Sequence, residues 1–381
     1  MSSSLSSSST KGLLERLADG PVVGDGSMLI TLEKRGYVMA GSWTPEATLQ
    51  YPDAVKQLHR EFLRAGADVI QTFTYCATED NLKMKNEHEK NSNDMISVSE
   101  INHRACDLAR EVANEGGALV AGSVSNVNAY RKDGACHGAG KEFVQNEFKK
   151  QCDIFVKKGV DFLLGEFFAF VEEAEWAIEV MAETGLPVAC TMRISVIGDQ
   201  VGVAPGDVAV RMAKAGADVI GVNCCYDPDT ALKTLAMMKE GLEKAGLQRY
   251  LMAQPLGYHA QEITDDPRGY SVLPEFPFAM ESRALTRTDV REFARRAYDE
   301  VGVRYIGGCC GFEPYHIRAI AEELTEERGR SFPGRDKSDG YSSLKRAFRV
   351  RQHKRANPEY WKKLVPAAGR EKVRKLAEIV D

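Results

Sequence analysis

Eight short apolar runs, separated by segments of helical pattern, limit what this chain can become. The runs span 21–24, 69–73, 118–124, 160–166, 187–194, 219–224, 250–256 and 303–310. Helical patterning fills 11–18, 51–65, 98–115, 144–158, 170–184, 207–215, 230–245, 288–300 and 315–326. Runs bounded by turn residues and joined by helices build βαβ units on a parallel sheet, with right-handed crossovers. Eight of them predict an α/β fold, a (β/α)8 TIM barrel. A doubly wound open sheet is the alternative, but no Gly-x-Gly-x-x-Gly fingerprint follows an early run.

An internal echo marks the element boundaries. Ala65-Gly-Ala-Asp-Val-Ile70 recurs as Ala215-Gly-Ala-Asp-Val-Ile220, and Lys158-Gly-Val-Asp-Phe-Leu163 and Glu300-Val-Gly-Val-Arg-Tyr305 are looser copies. In each, a glycine closes a helix in the left-handed conformation that a side chain disfavours, and a strand follows.

In a barrel the functional groups sit at the C-terminal ends of the strands. Here those ends carry Asp25, residues 72–76, residues 123–126, Glu166, Thr191, residues 223–225, Gln254, Cys309 and Cys310. Two of the ends are rich in thiols. Cys224 closes one run, and Gly307-Gly308-Cys309-Cys310-Gly311 closes the last. Adjacent cysteines make a poor disulfide, and a redox pair normally has two residues between its thiols. Three thiols at two strand ends predict a Zn2+ site with Cys224, Cys309 and Cys310 as ligands, and three protein ligands leave a fourth position for substrate. Three thiolates are an electron-rich donor set, less suited to polarising water than to accepting a fourth sulfur. A free thiol is only a few per cent ionised at pH 7, whereas a coordinating thiol is deprotonated outright. Alkyl transfer to a substrate thiol is the chemistry this predicts. Cys106, Cys152 and Cys190 lie inside helices or strands without a neighbouring thiol and read as small buried hydrophobes.

A net charge of −5 argues against a general binder of nucleic acid or anionic membranes. No run reaches the ~18 apolar residues of a membrane span. Nine cysteines without scaffold spacing point to a reducing cytoplasm. Residues 1–10 are a serine tract, read as a disordered tail, and residues 11–330 form the barrel. From 331 a polar linker leads into 344–375, where twelve Lys and Arg stand against two Glu. Phe348, Tyr360, Trp361 and Leu364 punctuate that stretch. Aromatic and Arg residues favour interfaces, so residues 331–381 read as a linker and oligomerisation arm.

Gly221-Val-Asn-Cys224 together with Gly307-Gly-Cys-Cys-Gly-Phe312 resembles the homocysteine S-methyltransferase family. Glu33-Lys-Arg-Gly-Tyr-Val38, Trp43-Thr-Pro-Glu46, Leu58-His-Arg-Glu-Phe-Leu-Arg-Ala-Gly66 and residues 304–323 are similar to the betaine–homocysteine methyltransferases in particular. The likeness runs through 11–330, and Tyr360-Trp361 with Gly369-Arg370 resembles that family's dimerisation arm. It implies a zinc-dependent barrel that methylates homocysteine to methionine from an onium donor, without folate or cobalamin, as a homodimer or homotetramer. It also implies that Cys224, Cys309 and Cys310 bind zinc, that Asp25 and Gly26 hold the amino acid part of homocysteine, and that Glu166 takes its ammonium. The residues agree with those roles. A glycine turn exposes N–H groups to a carboxylate, and a carboxylate pairs an ammonium. An acid flanked by Phe167 and Phe168 is unfavourable unless paired.

The methyl donor carries a fixed positive charge, so an aromatic cage is expected, each contact contributing ~0.5–2 kcal/mol. Trp43 matches the family's cage tryptophan. The betaine enzymes read Thr-Phe-Thr-Phe-Tyr where this chain reads Thr72-Phe-Thr-Tyr75-Cys76. Tyr75 then carries the hydroxyl, Cys76 replaces a ring, and Phe167 stands where Tyr is usual. Betaine is the expected donor. S-methylmethionine, whose users also lack that tyrosine, or another sulfonium such as dimethylsulfoniopropionate is the alternative. Cys76 is expected to approach the zinc in the substrate-free enzyme. Cys225 replaces the family's His or Arg, and period-two alternation predicts that it points away from the side Cys224 faces. Two readings of other kinds stay open. Zinc-dependent aldol cleavage would need a base and His or carboxylate ligands, and few His sit at these strand ends; a non-catalytic structural barrel would bind no zinc.

Overall fold

A computed structural model of the chain describes residues 11–38, 45–82, 97–130, 139–277 and 279–330, together with 357 and 359. The serine tract, Trp43 and, those last two residues apart, the stretch from 331 onward lie outside the described residues.

Eight strands run β1 (Val22–Val23), β2 (Val69–Gln71), β3 (Leu119–Ser125), β4 (Phe162–Phe168), β5 (Val188–Met192), β6 (Val219–Cys224), β7 (Tyr250–Pro255) and β8 (Tyr305–Ile306). They pair in parallel in the order β1-β8-β7-β6-β5-β4-β3-β2 with helices between them, and the fold is a (β/α)8 barrel. One backbone bond and two aspartate side chains finish the cylinder between β1 and β2. The Asp68 N–H donates to the Val23 carbonyl at 2.7 Å, and Asp68 Oδ2 accepts from the Val23 N–H at 2.8 Å. Nearer the C-terminal mouth, the Gln71 N–H donates to Asp25 Oδ2 at 2.9 Å.

Strand residues alternate between two apolar layers, as the period of two requires. Phe162 and Leu164 of β4 cluster inside the barrel with Val69, Leu119, Val219 and Met252, while Leu163 joins the outer layer under the helices. The helix Leu13–Asp19 belongs to the floor. Its Leu13 and Leu17 are buried in the inner cluster, so the expected first helix is a plug and not part of the outer ring. Burying a side chain of this size stabilises by about 1.5–3 kcal/mol.

The echoed glycines cap helices as expected: Gly66, Gly159, Gly216 and Gly302 have φ of 118, 67, 118 and 83°. The helix Pro52–Ala65 shows the remaining local logic. Pro52 opens it, Asp53 lies in its positive first turn, and Val55, Leu58 and Phe62 share its buried face. The last apolar run differs most from expectation, because β8 ends at Ile306. Gly307 still donates to the Ala253 carbonyl, but Gly308 bends inward and donates to the Asp25 carbonyl at 3.1 Å. Short helices at Leu29–Lys34 and Ala47–Gln50, and 3-10 turns at Gln261–Ile263, Gly269–Val272 and Met280–Arg283, add loop structure without a periodic sequence signal.

Candidate metal centre and substrate pocket

Cys224 ends β6, and Cys309 and Cys310 lie on the turn after β8. Their ligand atoms all lie within 4.8 Å of one another, with Cys224 and Cys310 sulfurs 3.5 Å apart. Glycine shapes that turn. A Cβ on Gly308 would fall 1.9 Å from the Phe312 ring, and one on Gly311, where φ is 84°, would fall 2.6 Å from the Tyr258 ring. The Cys309 N–H donates to the Pro255 carbonyl at 3.0 Å and so ties the turn to β7.

Hydrogen bonds from Cys224 and Cys309 pull the Cys310 thiol well below its ordinary range, and the Tyr270 hydroxyl adds to this. Cys224, bonded to Cys225, Cys309 and Cys310, rises correspondingly. Three converging sulfurs with a half-buried member, Cys309, fit a soft divalent ion that would stabilise all three thiolates and keep one side open.

The thiols face a cavity whose wall also carries Asp25, Gly26, Glu166, Gln71 and Gln254. Asp25 and Glu166 are 2% and 8% exposed. Burial pushes the Asp25 carboxyl up to about 8, against the pull of the Gln71 N–H and with help from the charge of Glu166. Glu166 accepts from Gln71 Nε2 at 2.6 Å and Ser123 Oγ at 2.5 Å, and burial still holds it above the usual carboxylate range. Among the described residues no Lys or Arg offsets either carboxylate. Gln254 Oε1 is buried without a hydrogen-bond partner on the same wall. Acceptors gathered like this fit a ligand that donates, and a substituted ammonium satisfies them best. Gly26 is required by packing, since a Cβ there would meet the Phe312 carbonyl at 2.4 Å and the Phe62 ring at 2.8 Å.

Tyr75 and Phe167 line the cavity too and meet edge to face, ring centres 5.5 Å apart. Phe167 has φ 66° in an irregular stretch of β4, where its N–H donates to Asn223 Oδ1 at 3.0 Å. Asn223 also accepts from Thr191, so one amide joins β4, β5 and β6 beside the thiols. Cys76 stands apart. Its N–H bonds Ser125 Oγ at 2.9 Å, and it belongs neither to the thiol trio nor to the cavity wall. Tyr75 occupies the wall instead. Cys225 departs from the expected alternation. Cys224 and Cys225 have φ of 58 and 31°, which ends the period of two, and both thiols sit in one apolar cluster with Cys310.

Ser123, Thr191, Asn223 and Gln254 were legible as strand-end residues without a role. Gln71, Tyr258 and Tyr270 carry no such mark. A polar residue in the apolar run 69–73 is the one signal for Gln71, and the two tyrosines come from irregular backbone.

The model of the family described as Homocysteine S-methyltransferase matches residues 22–324, and the chain belongs to that family. It is therefore an enzyme. It is 54% identical over 365 residues to betaine–homocysteine S-methyltransferase 1 of Danio rerio, covering 95% of this chain and 88% of that protein. It is 52% identical over 364 residues to the S-methylmethionine–homocysteine S-methyltransferase of Pongo abelii, covering 94% of each. Among solved structures, the homocysteine methyltransferase MmuM of Escherichia coli in its metallated form superposes with a TM-score of 0.61 at 20% identity, covering 81% of this chain and 99% of that one; the likeness is one of fold.

Proposed function

We propose that this enzyme transfers a methyl group from an onium donor, betaine first, to the sulfur of homocysteine and releases methionine. The observation that carries the reading is the open thiol trio facing two buried carboxylates without a cationic partner. Cys224, Cys309 and Cys310 would hold zinc, which when bound supplies a Lewis acid that keeps a substrate thiol ionised at neutral pH. Glu166, braced by Gln71 and Ser123, takes the ammonium of homocysteine. Asp25 and Gly26 orient its amino acid end, and Gln254 accepts a further N–H. Tyr75 and Phe167 shape the donor side. The sulfur lone pair then attacks the donor methyl carbon as the carbon–nitrogen or carbon–sulfur bond to the leaving group breaks in line. Holding both reactants in this geometry supplies much of the acceleration.

S-methylmethionine is the second reading for the donor, favoured by Cys76 in place of a ring and by the relative that uses it. Incubating the zinc-loaded chain with homocysteine and betaine, S-methylmethionine or dimethylsulfoniopropionate separates the readings. Methionine from betaine at the highest rate is the expected result; no methionine from any donor overturns the reaction.

The stretch 331–381 is assigned to assembly into a homodimer or homotetramer, which sedimentation of the full chain against one ending at 330 tests. Among the described residues no helix is long and apolar enough to cross a membrane. Eight free cysteines among them fit a reducing cytoplasm.

A further inference from the structure

Arg193 follows β5 at the barrel mouth, its N–H donating to the Phe168 carbonyl at 2.9 Å. It is half-buried, and its guanidinium carbon lies 5.3 Å from the centre of the Phe167 ring. Phe167 lines the cavity, so the guanidinium stands one side chain behind the wall that faces the thiols. Its charge is also felt by the neighbouring Cys225 and Tyr226. Among the described residues no carboxylate lies within ion-pair distance of it. The pocket wall leaves acceptors seeking a cation, whereas Arg193 behind it is a fork of donors seeking an anion.

A half-buried Arg normally finds a carboxylate, because its planar fork matches two oxygens. Here the fork lies beside the ring expected to meet the onium. A donor that is only a cation meets repulsion from it. A donor that is positive at its methyl end and negative at the other meets repulsion at neither end, provided its carboxylate points toward β5.

Resting on the methyl-transfer reading above, we propose that Arg193 is the receptor for the carboxylate of the methyl donor, a specificity residue that selects zwitterionic donors over purely cationic ones. The acceptor's ammonium is then met by Glu166 on β4 and the donor's carboxylate by Arg193 just after β5. The two substrates are thus told apart by opposite charges on neighbouring strands.

Betaine and choline, which share a trimethylammonium group and differ in the carboxylate, make the test. Binding to the zinc-loaded full chain is measured by calorimetry with homocysteine present, alongside methionine formation, for the wild type, Arg193→Gln and Arg193→Lys. The wild type should bind betaine at least about tenfold tighter than choline, and Arg193→Gln should bring the two together by weakening betaine about tenfold. Arg193→Lys should restore part of the preference, with zinc content and the homocysteine KM unchanged throughout. A structural role through Phe167 would weaken both donors equally, and a role in holding homocysteine would raise the homocysteine KM; either result overturns the assignment. A wild type that binds betaine over choline but forms no methionine from it overturns betaine as the donor and leaves the Arg193 contact in place. A wild type that binds neither overturns both the assignment and betaine as the donor.

Discussion

Asp25 and Asp68 do the same mechanical job at opposite ends of one seam, and their surroundings could hardly differ more. Each is buried and each accepts a backbone N–H across the gap between β1 and β2. On the floor, Asp68 also receives Arg328 at 2.9 Å and Arg330 at 2.8 Å through both oxygens. Burial by itself would raise its carboxyl, but those guanidiniums and the Val23 N–H outweigh it and hold it below the ordinary value. At the mouth, Asp25 has Glu166 for company and is pushed up to about 8. The floor is electrically complete and serves stability. The mouth is left without such a partner, and in the proposed reading a substrate ammonium supplies it.

Asp68→Asn should break the floor most severely. Removing the shared partner of two guanidiniums, one fully buried, should cost about 3–5 kcal/mol of unfolding free energy. Urea denaturation reads this, while homocysteine affinity of the remaining folded protein stays near wild type. Cys310→Ser acts only on the mouth. Outer-shell partners of a metal are worth 10–100-fold, so losing one of the three proposed zinc ligands should lower zinc retention and methyl transfer by at least about 100-fold, read by metal analysis and assay. Glu166→Gln keeps the size and hydrogen bonds of the side chain but removes its charge. The homocysteine KM should rise about tenfold with the melting temperature unchanged or higher, since an uncompensated buried charge has gone. A fall in melting temperature as large as that of Asp68→Asn would erase the contrast between the two ends.

Acid titration gives the smallest effect and the sharpest sign. The folded Asp68 carboxyl lies below its unfolded value of about 3.9, so its contribution is present above pH ~4 and fades as the pH falls through the folded value. Asp25 has the opposite sign, because its folded value is the higher one. Unfolding free energy of the wild type minus that of Asp68→Asn should therefore shrink on acidification below pH 4 and stay flat from pH 5 to 7.

The barrel was legible because apolar runs and helical segments alternate and glycine caps recur. The thiol trio was legible for a chemical reason, since Cys309 and Cys310 side by side among glycines make little sense as packing. Asp25 and Glu166 were legible as strand-end acids, but the work of Asp25 in closing the seam was not, because it depends on β1 ending after Val23. The side on which Cys225 falls was not legible either. Alternation assumes extended backbone, and a left-handed turn at Cys224 cancels it. Tyr258 and Tyr270 come from backbone without period, where only the folded chain shows which ring meets the sulfurs.

Cys76, Phe167, Cys224 and Cys225 are, among the described residues, the only ones other than glycine with left-handed backbone. All four lie at the mouth. Such a conformation is disfavoured by about 1–2 kcal/mol for a residue with a side chain, and glycine would relieve it. Selection of variants for heat resistance alone would therefore drift toward glycine at these positions. Gains at Phe167 and Cys224 would remove a ring or a sulfur from the pocket, so thermal hardening and turnover are set against each other at these bends of the chain.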